Sequence, residues 1–513
     1  MNQALTNQDL DPPLKAQFSE KLNAPFSSLN AAGIALDLGY QHISKNEWQD
    51  LIEVALKANI ASHIEDMFSG VVVNKSEQRA ALHTALRNFS RKQIFVDGKN
   101  VMPEIEAVWQ RIQTLCNEWD GVTDVIHIGI GGSVFGPQLA VKALENLPGI
   151  HSRGMRMHFA ANIDGEELAQ IFKQANPKNT RVIIVSKTFS TTETMMNAKA
   201  VVGWLKSNGC SDSQVQNALI AVTANPASAQ LFGITSDHIF PFWNWVGGRF
   251  SVWSAVGLCI ALQYGFETFI AFLKGAEAID SHFQKTSIEK NLPILMALAL
   301  LHQQKKHASS AFAVIPYANA LSLFPFWLQQ LEMESHGKSV GCGDVPIQNS
   351  SPVVFGSVGT NSQHSYFQLL HQGAEIIPVD FIAVGEPMSD IPEAVDHHRI
   401  LLANCLAQAQ ALSCGKTSEI PNESYPGNKP SNLIILPKLD AFHLGALLAL
   451  YESRTVALGI LWGINSFDQP GVELGKQLSV PIDSALKNGA DIDQSQFDSI
   501  TSDRIAYLKP YFQ

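Results

Sequence analysis

The pattern of apolar and polar positions near the N-terminus has a helical period. In KNEWQDLIEVAL, at 45–56, apolar residues recur every three or four positions, which predicts an amphipathic helix. Ser76 is suited to cap a second helix through EQRAALHTALR, at 77–87. We therefore predict a helical N-terminal extension over residues 1–110.

From about residue 120 the pattern changes to short, nearly continuous apolar runs separated by helical segments. Four such runs occur before residue 245, at 125–128, 157–160, 181–185 and 218–222. Strands that alternate with helices in this way are typical of a parallel sheet covered by helices. A long helical stretch from Val252 to Leu273 closes this first α/β domain, which we assign to residues 111–280.

The alternation resumes in the second half of the chain. Apolar runs at 311–316, 353–356, 375–382 and 432–437 predict a second α/β domain over residues 281–480. A stretch rich in Ser, Pro, Asn and Gly at 413–431 is predicted to be a surface loop. Residues 481–513 remain as a C-terminal tail.

Two of the predicted strands lead into loops of small residues. VIHIGIGGS, at 125–133, ends in Gly132 and Ser133, and RVIIVSKTFSTTET, at 181–194, offers Ser186, Lys187, Thr188 and Thr191. Such loops present backbone N–H groups, hydroxyls and a positive helix end to an anion. The first loop lacks both the Walker ending and the dinucleotide spacing, so a monophosphate fits better than a nucleotide. An ordinary strand-to-helix turn remains the alternative.

Composition and charge narrow the class of partner. The chain has 513 residues and a formal net charge of -11, which argues against nucleic acid because phosphate contacts require clustered Lys and Arg. Its six cysteines are scattered without a CxxC pair, which disfavours zinc and fits a reducing compartment. The N-terminus is polar and acidic with no apolar core, and no later stretch reaches membrane-spanning length without charged or turn residues. We expect a cytoplasmic protein without a membrane partner.

Two charged residues occur where apolar neighbours predominate. Glu334, in QQLEMESHGK, ends a helical apolar pattern just before a Gly, and a carboxylate there is suited to act as a general base. Arg249, in WVGGRFSVWS, must find an anionic partner or stack on a ring. A solvated helical Glu and a structural ion pair are the respective alternatives.

Two further segments carry polar groups beyond apolar runs. His364, in GTNSQHSYF, follows a predicted strand at the end where open α/β sheets bind ligands. NSFDQPGVELGK, at 465–476, offers Gln469, Glu473 and Lys476. A structural histidine and a turn before a surface helix are the alternatives here.

Taken in order, six motifs resemble the glucose-6-phosphate isomerase family, also called phosphoglucose isomerases. The motifs are GIGGS, SKTF, VGGRFS, QQLEMES, QH and FDQPGVELGK, and the resemblance extends from about residue 40 to 480. It implies two sugar-isomerase (SIS) domains, each a parallel sheet between helices, with helical N- and C-terminal extensions. It also implies a homodimer with shared active sites.

The resemblance further implies an aldose–ketose isomerase that interconverts D-glucose 6-phosphate and D-fructose 6-phosphate without a metal or cofactor. Groups at the positions of His364, contributed by the neighbouring subunit, and Lys476 open the sugar ring. Glu334 moves the proton between C2 and C1 through a cis-enediolate, which Arg249 stabilises. The remaining implied contacts are to the phosphate, from Ser133, Ser186, Lys187, Thr188 and Thr191, and to sugar hydroxyls, from Gln330 and Gln469. Gly132 is a further implied substrate-binding residue.

Several positions depart from the commonest family wording. These are Val134, Phe135, Thr192, His336, Ser362 and Pro470. Pro470 matters most because it fixes φ and removes a donor beside Gln469. Two other functions stay open: a broader substrate range that includes mannose 6-phosphate, and a non-catalytic sugar-phosphate sensor. A sensor needs a phosphate site but neither a base nor a ring-opening group.

Overall fold

The computed structural model describes residue 26 and residues 29–348, 350–487 and 496–512. The chain forms two compact units, Met1–Phe467 and Asp468–Gln513. The strands of the first unit, in chain order, are β1 (Leu29–Ala31), β2 (Ile34–Asp37), β3 (Phe95–Val96), β4 (Lys99–Asn100), β5 (Asp124–Ile128), β6 (Arg156–Ala160), β7 (Thr180–Val185), β8 (Leu219–Thr223), β9 (Ile239–Pro241), β10 (Ala311–Pro316), β11 (Val353–Phe355), β12 (Val379–Val384) and β13 (Ser431–Leu436).

The α-helices of the first unit are α1 (Lys45–Lys57), α2 (Ile60–Ser69), α3 (Met102–Glu118), α4 (Phe135–Leu144), α5 (Gly165–Gln174), α6 (Thr192–Ser207), α7 (Asp212–Ala218), α8 (Pro226–Leu231), α9 (Leu258–Tyr264), α10 (Phe266–Lys285), α11 (Leu292–His307), α12 (Phe324–Gln329), α13 (Phe367–Gln372), α14 (Ala394–Cys414) and α15 (Ala441–Trp462). Helix α1 confirms the periodicity at 45–56. Ser44 and Glu47 cap the N-terminus of α1 with a reciprocal capping box.

The first sheet has five parallel strands in the order β6-β5-β7-β8-β9. Its first four members are the four predicted strands, and all residues of β5 and β8 are buried, as in a sheet covered on both faces. Strand β9 was not predicted, because three residues are too few to show a period.

The second sheet has six strands in the order β1-β2-β13-β12-β10-β11. Its β10, β11, β12 and β13 are parallel and correspond to the four apolar runs of the second half. The β1–β2 hairpin adds to β13 in antiparallel register, with Ile434 opposite Leu36. The N-terminal segment therefore contributes two strands to this sheet in addition to helices α1 and α2.

The helix predicted after Ser76 is wrong. The backbones of Asn74 and Arg79 pair across a turn at 3.1 and 3.2 Å, and only His83–Arg87 is helical, as a 3₁₀ segment. Arg87 is fully buried there and binds the carboxylates of Asp280 and Glu452, each at 2.6 Å. This tertiary network overrides the local helix propensity.

The single helical stretch predicted over Val252–Leu273 is also wrong. A 3₁₀ turn leads into α9, and α10 begins after Gly265. Gly265 has φ +92°, a conformation that an α-helix does not contain and that favours glycine. The break produces the long helix α10, which packs against α15.

Helix α15 is long and apolar enough to cross a membrane, the one such helix among the residues that the structure describes, but 89% of its most apolar window is buried inside the protein. Buried placement of this kind is that of a core helix.

The described residues of the second unit are mostly helical. The unit contains a 3₁₀ turn at Pro470–Val472, α16 (Glu473–Leu486), α17 (Ser499–Leu508) and a 3₁₀ turn at Lys509–Phe512. The domain boundaries proposed from the sequence, at 110/111, 280/281 and 480/481, do not correspond to the division between these two compact units. They stay predictions.

Candidate active site

A glycine-rich loop lies at the carboxyl end of β5. Its 3₁₀ turn, Gly131–Ser133, packs directly on the backbone of Gly248 and Arg249. A Cβ at Gly132 would overlap the Gly248 carbonyl carbon, so only glycine permits this approach. The side chain of Gln330 lies against Gly131, because a Cβ there would be 3.0 Å from Gln330 Nε2. The loop thus brings Gly132, Arg249 and Gln330 together.

The second small-residue loop follows β7 and ends at the N-terminus of α6. Ser186 Oγ and Thr191 Oγ1 are 3.1 Å apart, and Ser190 donates to Thr188 Oγ1 at 2.8 Å. Phe189, within the loop, is buried and has a backbone φ of +52°. Because Thr191 occupies the N-cap position without using its side chain as a cap, its hydroxyl stays in the cluster. Hydroxyls grouped at the positive end of a helix form an environment suited to an anion.

Lys187 belongs to this loop but is bound elsewhere. Its Nζ donates to the backbone carbonyls of Asn244 and Val246 at 2.8 and 2.9 Å. Burial lowers the pKa of Lys187 to about 8, and the nearby charge of Arg79 acts in the same direction. The lysine therefore ties the hydroxyl loop to the segment that leads into Arg249.

Arg249 and Glu334 lie beside each other. The Arg249 side chain is only 2% exposed, and its Nη1 is 3.7 Å from Oε1 of Glu334, whose side chain is 22% exposed. Arg249 Nε donates to Ser335 Oγ and Nη2 donates to the Ser466 carbonyl, both at 2.7 Å. The guanidinium is therefore held along its Nε–Nη2 edge, with Nη1 directed towards the carboxylate.

Glu334 lies at the end of a π-helical segment, Gln330–Glu334, that continues α12. Such segments are rare and often mark functional sites. Gln330 Oε1 and Glu334 Oε2 are both buried without a hydrogen-bond partner among the residues described. Buried polar atoms normally have a hydrogen-bond partner. A polar group of a bound ligand could supply that partner for both oxygens.

His364 follows β11 in the 3₁₀ turn Asn361–His364 and is exposed. The preceding Gln363 donates to the Tyr317 hydroxyl at 2.8 Å, which anchors the turn at the carboxyl end of β10. In the described part of the chain, no hydrogen bond or ion pair involves the His364 ring, and none joins it to Glu334 or Arg249.

The two remaining predicted site residues lie in the second unit. Lys476 Nζ is 2.8 Å from Glu473 Oε1, three residues earlier in α16, and both side chains are exposed. Pro470 occupies the first position of the 3₁₀ turn that Gln469 precedes. A proline is compatible with this position, since its missing N–H has no partner within the turn.

Sequence reasoning missed Ser335 and Ser466, the two partners that hold Arg249. Ser335 could have been suspected because it adjoins Glu334. Ser466 contributes a backbone carbonyl, which every residue carries, so no pattern of residue types could identify it.

Known proteins resemble the chain over most of its length. The phosphoglucose isomerase family matches residues 37–505. A glucose-6-phosphate isomerase from Cupriavidus metallidurans is 42% identical over 485 residues, which cover 90% of this chain and 89% of the relative. One from Neisseria gonorrhoeae is 40% identical and covers 88% and 87%.

Solved structures of other proteins have a similar fold. The crystal structure of a glucose-6-phosphate isomerase from Chlamydia trachomatis superposes with a TM-score of 0.85 at 31% identity, covering 93% of this chain and 92% of that one. A hypothetical protein from Thermus thermophilus shares the fold at 24% identity, with a TM-score of 0.64 over 87% and 98% of the two chains.

The fold, the buried guanidinium beside a carboxylate and these matches define an enzyme of the aldose–ketose isomerase class. Within that class, the chain belongs to the phosphoglucose isomerase family.

Proposed function

We propose that this chain interconverts D-glucose 6-phosphate and D-fructose 6-phosphate, with Glu334 as the base and Arg249 as the charge-stabilising group. The observation that carries the proposal is the 3.7 Å approach of Arg249 Nη1 to Glu334 Oε1 in a largely buried setting. A base needs access to substrate, and a fixed cation is most effective where water is scarce. The partly exposed Glu334 and the buried Arg249 fit these two roles.

The reaction moves one proton from C2 to C1 and one from O2 to O1, and the carbonyl double bond moves from C1 to C2. Glu334 takes the proton from C2 of the open-chain aldose, the C–H electrons form the C1–C2 double bond, and the carbonyl π electrons move to O1. The resulting cis-enediolate carries a negative charge that the always-protonated Arg249 stabilises. A proton passes from the O2 hydroxyl to O1, Glu334 returns its proton to C1 as the electrons of the C1–C2 double bond take it up, and the electron pair left on O2 forms the ketose carbonyl.

The sugar phosphate is assigned to the two small-residue loops. Gly132 and Ser133 would contribute from the first loop, and Ser186, Thr188 and Thr191 from the second. The hydroxyl cluster at the α6 N-terminus supports this assignment. Lys187 would add positive charge while holding the loop on the carbonyls of Asn244 and Val246. Gln330, with its buried Oε1, would orient a sugar hydroxyl.

Ring opening is assigned to His364 and Lys476, and a further hydroxyl contact to Gln469. These roles rest on the family resemblance. For His364 we propose action in the neighbouring subunit of a homodimer, which the exposed ring without a hydrogen-bond partner in the described chain supports. We also propose a cytoplasmic location and a role in glycolysis and gluconeogenesis. The six free cysteines are compatible with a reducing compartment.

The test of the base is Glu334→Gln, assayed as fructose 6-phosphate conversion through a coupled dehydrogenase. The amide keeps the shape of the side chain but cannot take a proton, so kcat should fall by ~10²–10⁴-fold, the usual contribution of a positioned acid–base group, while substrate binding persists. Glu53→Gln, at an exposed helical position where Glu53 pairs with Lys57, is the matched control and should keep full activity. Substantial turnover by Glu334→Gln would remove Glu334 from the role of base.

The shared site is tested by mixing two inactive variants, Glu334→Gln and His364→Ala, after dissociation and reassociation. A hybrid dimer contains one site with an intact Glu334 and the partner's intact His364, so activity should return. If the mixture stays inactive although hybrids form, His364 does not act across a subunit boundary.

A further inference from the structure

A buried polar chain lies behind Arg249 and Glu334. It starts at Arg454, whose Nη2 donates to Glu332 Oε1 at 2.9 Å, and Thr455 donates to the same oxygen at 2.6 Å. Glu332 Oε2 faces His336 Nδ1 at 3.4 Å, and His336 Nε2 lies 3.1 Å from Ser466 Oγ. The Ser466 carbonyl accepts from Arg249 Nη2 at 2.7 Å. The chain thus ends on the guanidinium beside Glu334.

The hydrogen-bond directions along this chain follow from charge. Glu332 is fully buried but stays ionised: burial raises its pKa, but Arg454, His336 and Thr455 together hold that pKa at about 2. Burial lowers the pKa of His336, so the ring is neutral and carries one N–H. The ionised carboxylate 3.4 Å from Nδ1 favours the hydrogen on that atom, and Nε2 then accepts from the Ser466 hydroxyl.

Packing leaves Ser466 little freedom to move. A Cβ at Gly459, on α15, would overlap Ser466 Oγ and lie 3.2 Å from His336 Nε2. Lys338, two residues beyond His336, also donates to the carbonyl of Asn465. Two side chains at or just beyond the end of the helical segment that carries Glu334 therefore join it to residues 465–466: Lys338 at the Asn465 carbonyl and His336 at the Ser466 hydroxyl.

We propose that His336 is a positioning residue: by binding Ser466 it fixes the Arg249 guanidinium at the distance from Glu334 that the reaction requires. His336 does not touch the reacting atoms. It lies on the same helical segment as Glu334 and binds Ser466, whose carbonyl accepts from Arg249. It therefore connects the segment that carries Glu334 to the residue that holds Arg249. This inference rests on the proposed function, since it assumes that Arg249 and Glu334 carry the chemistry.

Two substitutions separate positioning from general structural support. His336→Leu removes both polar contacts at similar volume and should lower kcat by ~10-fold or more with KM changed less than ~2-fold, because misplacement by about 1 Å can cost ~10²-fold. His336→Gln keeps a polar group near the position of Nε2, so it should bind Ser466 and restore most of kcat. Unfolding midpoints and circular dichroism spectra show whether each variant is folded.

A double-mutant cycle with Ser466→Ala tests the connection itself. If His336 acts through Ser466, each single substitution lowers kcat and the double variant is little worse than either one. Equal losses for His336→Leu and His336→Gln, multiplicative losses in the cycle, or wild-type kcat for His336→Leu would each overturn the inference. Should His336→Leu not fold, wild-type kcat for Ser466→Ala would overturn it as well. An inactive wild type would instead contradict the proposed function.

Discussion

Arg249 lies with Nη1 3.7 Å from Glu334 Oε1, while its Nε and Nη2 are bound to Ser335 and Ser466 at 2.7 Å. One edge of the guanidinium is thus held by the protein, and the other faces the carboxylate. Such a group needs no reorientation when negative charge develops on a neighbouring substrate. The geometry favours a role for Arg249 in the transition state over one confined to binding.

Arg249→Lys should therefore lower turnover far more than affinity. Lysine keeps the charge, but its ammonium cannot bind Ser335 and Ser466 and still point at the reaction site. We expect kcat to fall by ~10²–10³-fold, the cost of losing one pre-organised donor, with a much smaller change in KM. Steady-state kinetics measure both values. A change confined to KM would show that Arg249 serves ground-state binding alone.

Much of the site could be predicted because its residues are of types with distinctive chemistry. Glu334 and Arg249 are charged groups in apolar surroundings, and the structure brings these two together. The small-residue loops were recognisable because they follow buried parallel strands. Each of these signals is local, so a single sequence displays it.

The parts that could not be predicted depend on long-range contacts. The carbonyls of Asn244, Val246 and Ser466 bind Lys187 and Arg249, yet backbone acceptors leave no mark in residue types. The segment after Ser76 has good helix propensity, but buried Arg87 pairs with Asp280 and Glu452, 193 and 365 residues away in sequence. Local patterns contain no information on such partners.

Deprotonation of Lys187 should lower the activity of the enzyme at basic pH. Burial lowers its pKa to about 8, so its positive charge is present below that pH and is lost as the pH rises through it. In kcat/KM, which reports on the free enzyme, we expect a decline above about pH 8. Lys187→Arg keeps its charge throughout this range and should lack that decline. Superimposable profiles for wild type and variant would show that Lys187 does not cause the decline.

Glu452 should make stability depend on pH. Burial raises its pKa from 4.5 to about 7, although Arg87 opposes the shift. A raised carboxyl pKa means that the folded state holds the proton more tightly than the unfolded chain does. Its contribution is full below pH 4.5 and is lost as the pH rises through about 7.

The matched variant is Glu452→Gln, which cannot titrate. Urea unfolding at pH 5 and pH 8 gives the difference in unfolding free energy between wild type and variant, in which the titration of other groups cancels. The stability of the wild type relative to the variant should be lower at pH 8 than at pH 5, because the wild type then carries a poorly solvated carboxylate. An equal difference at both values would mean that the Glu452 pKa is not raised.

Gly132→Ala tests the close approach on which the site is built. The added methyl group would overlap the carbonyl of Gly248, so the backbone that carries Arg249 must shift. A displacement of this kind should lower kcat by ~10²-fold or more, because catalytic geometry tolerates little error. Gly203→Ala, inside α6 with nothing within 4 Å of the new Cβ, is the control. It should keep full activity and gain up to ~1 kcal/mol of stability from better helix propensity. Normal turnover by a folded Gly132→Ala variant would show that the glycine loop and Arg249 need not touch during catalysis.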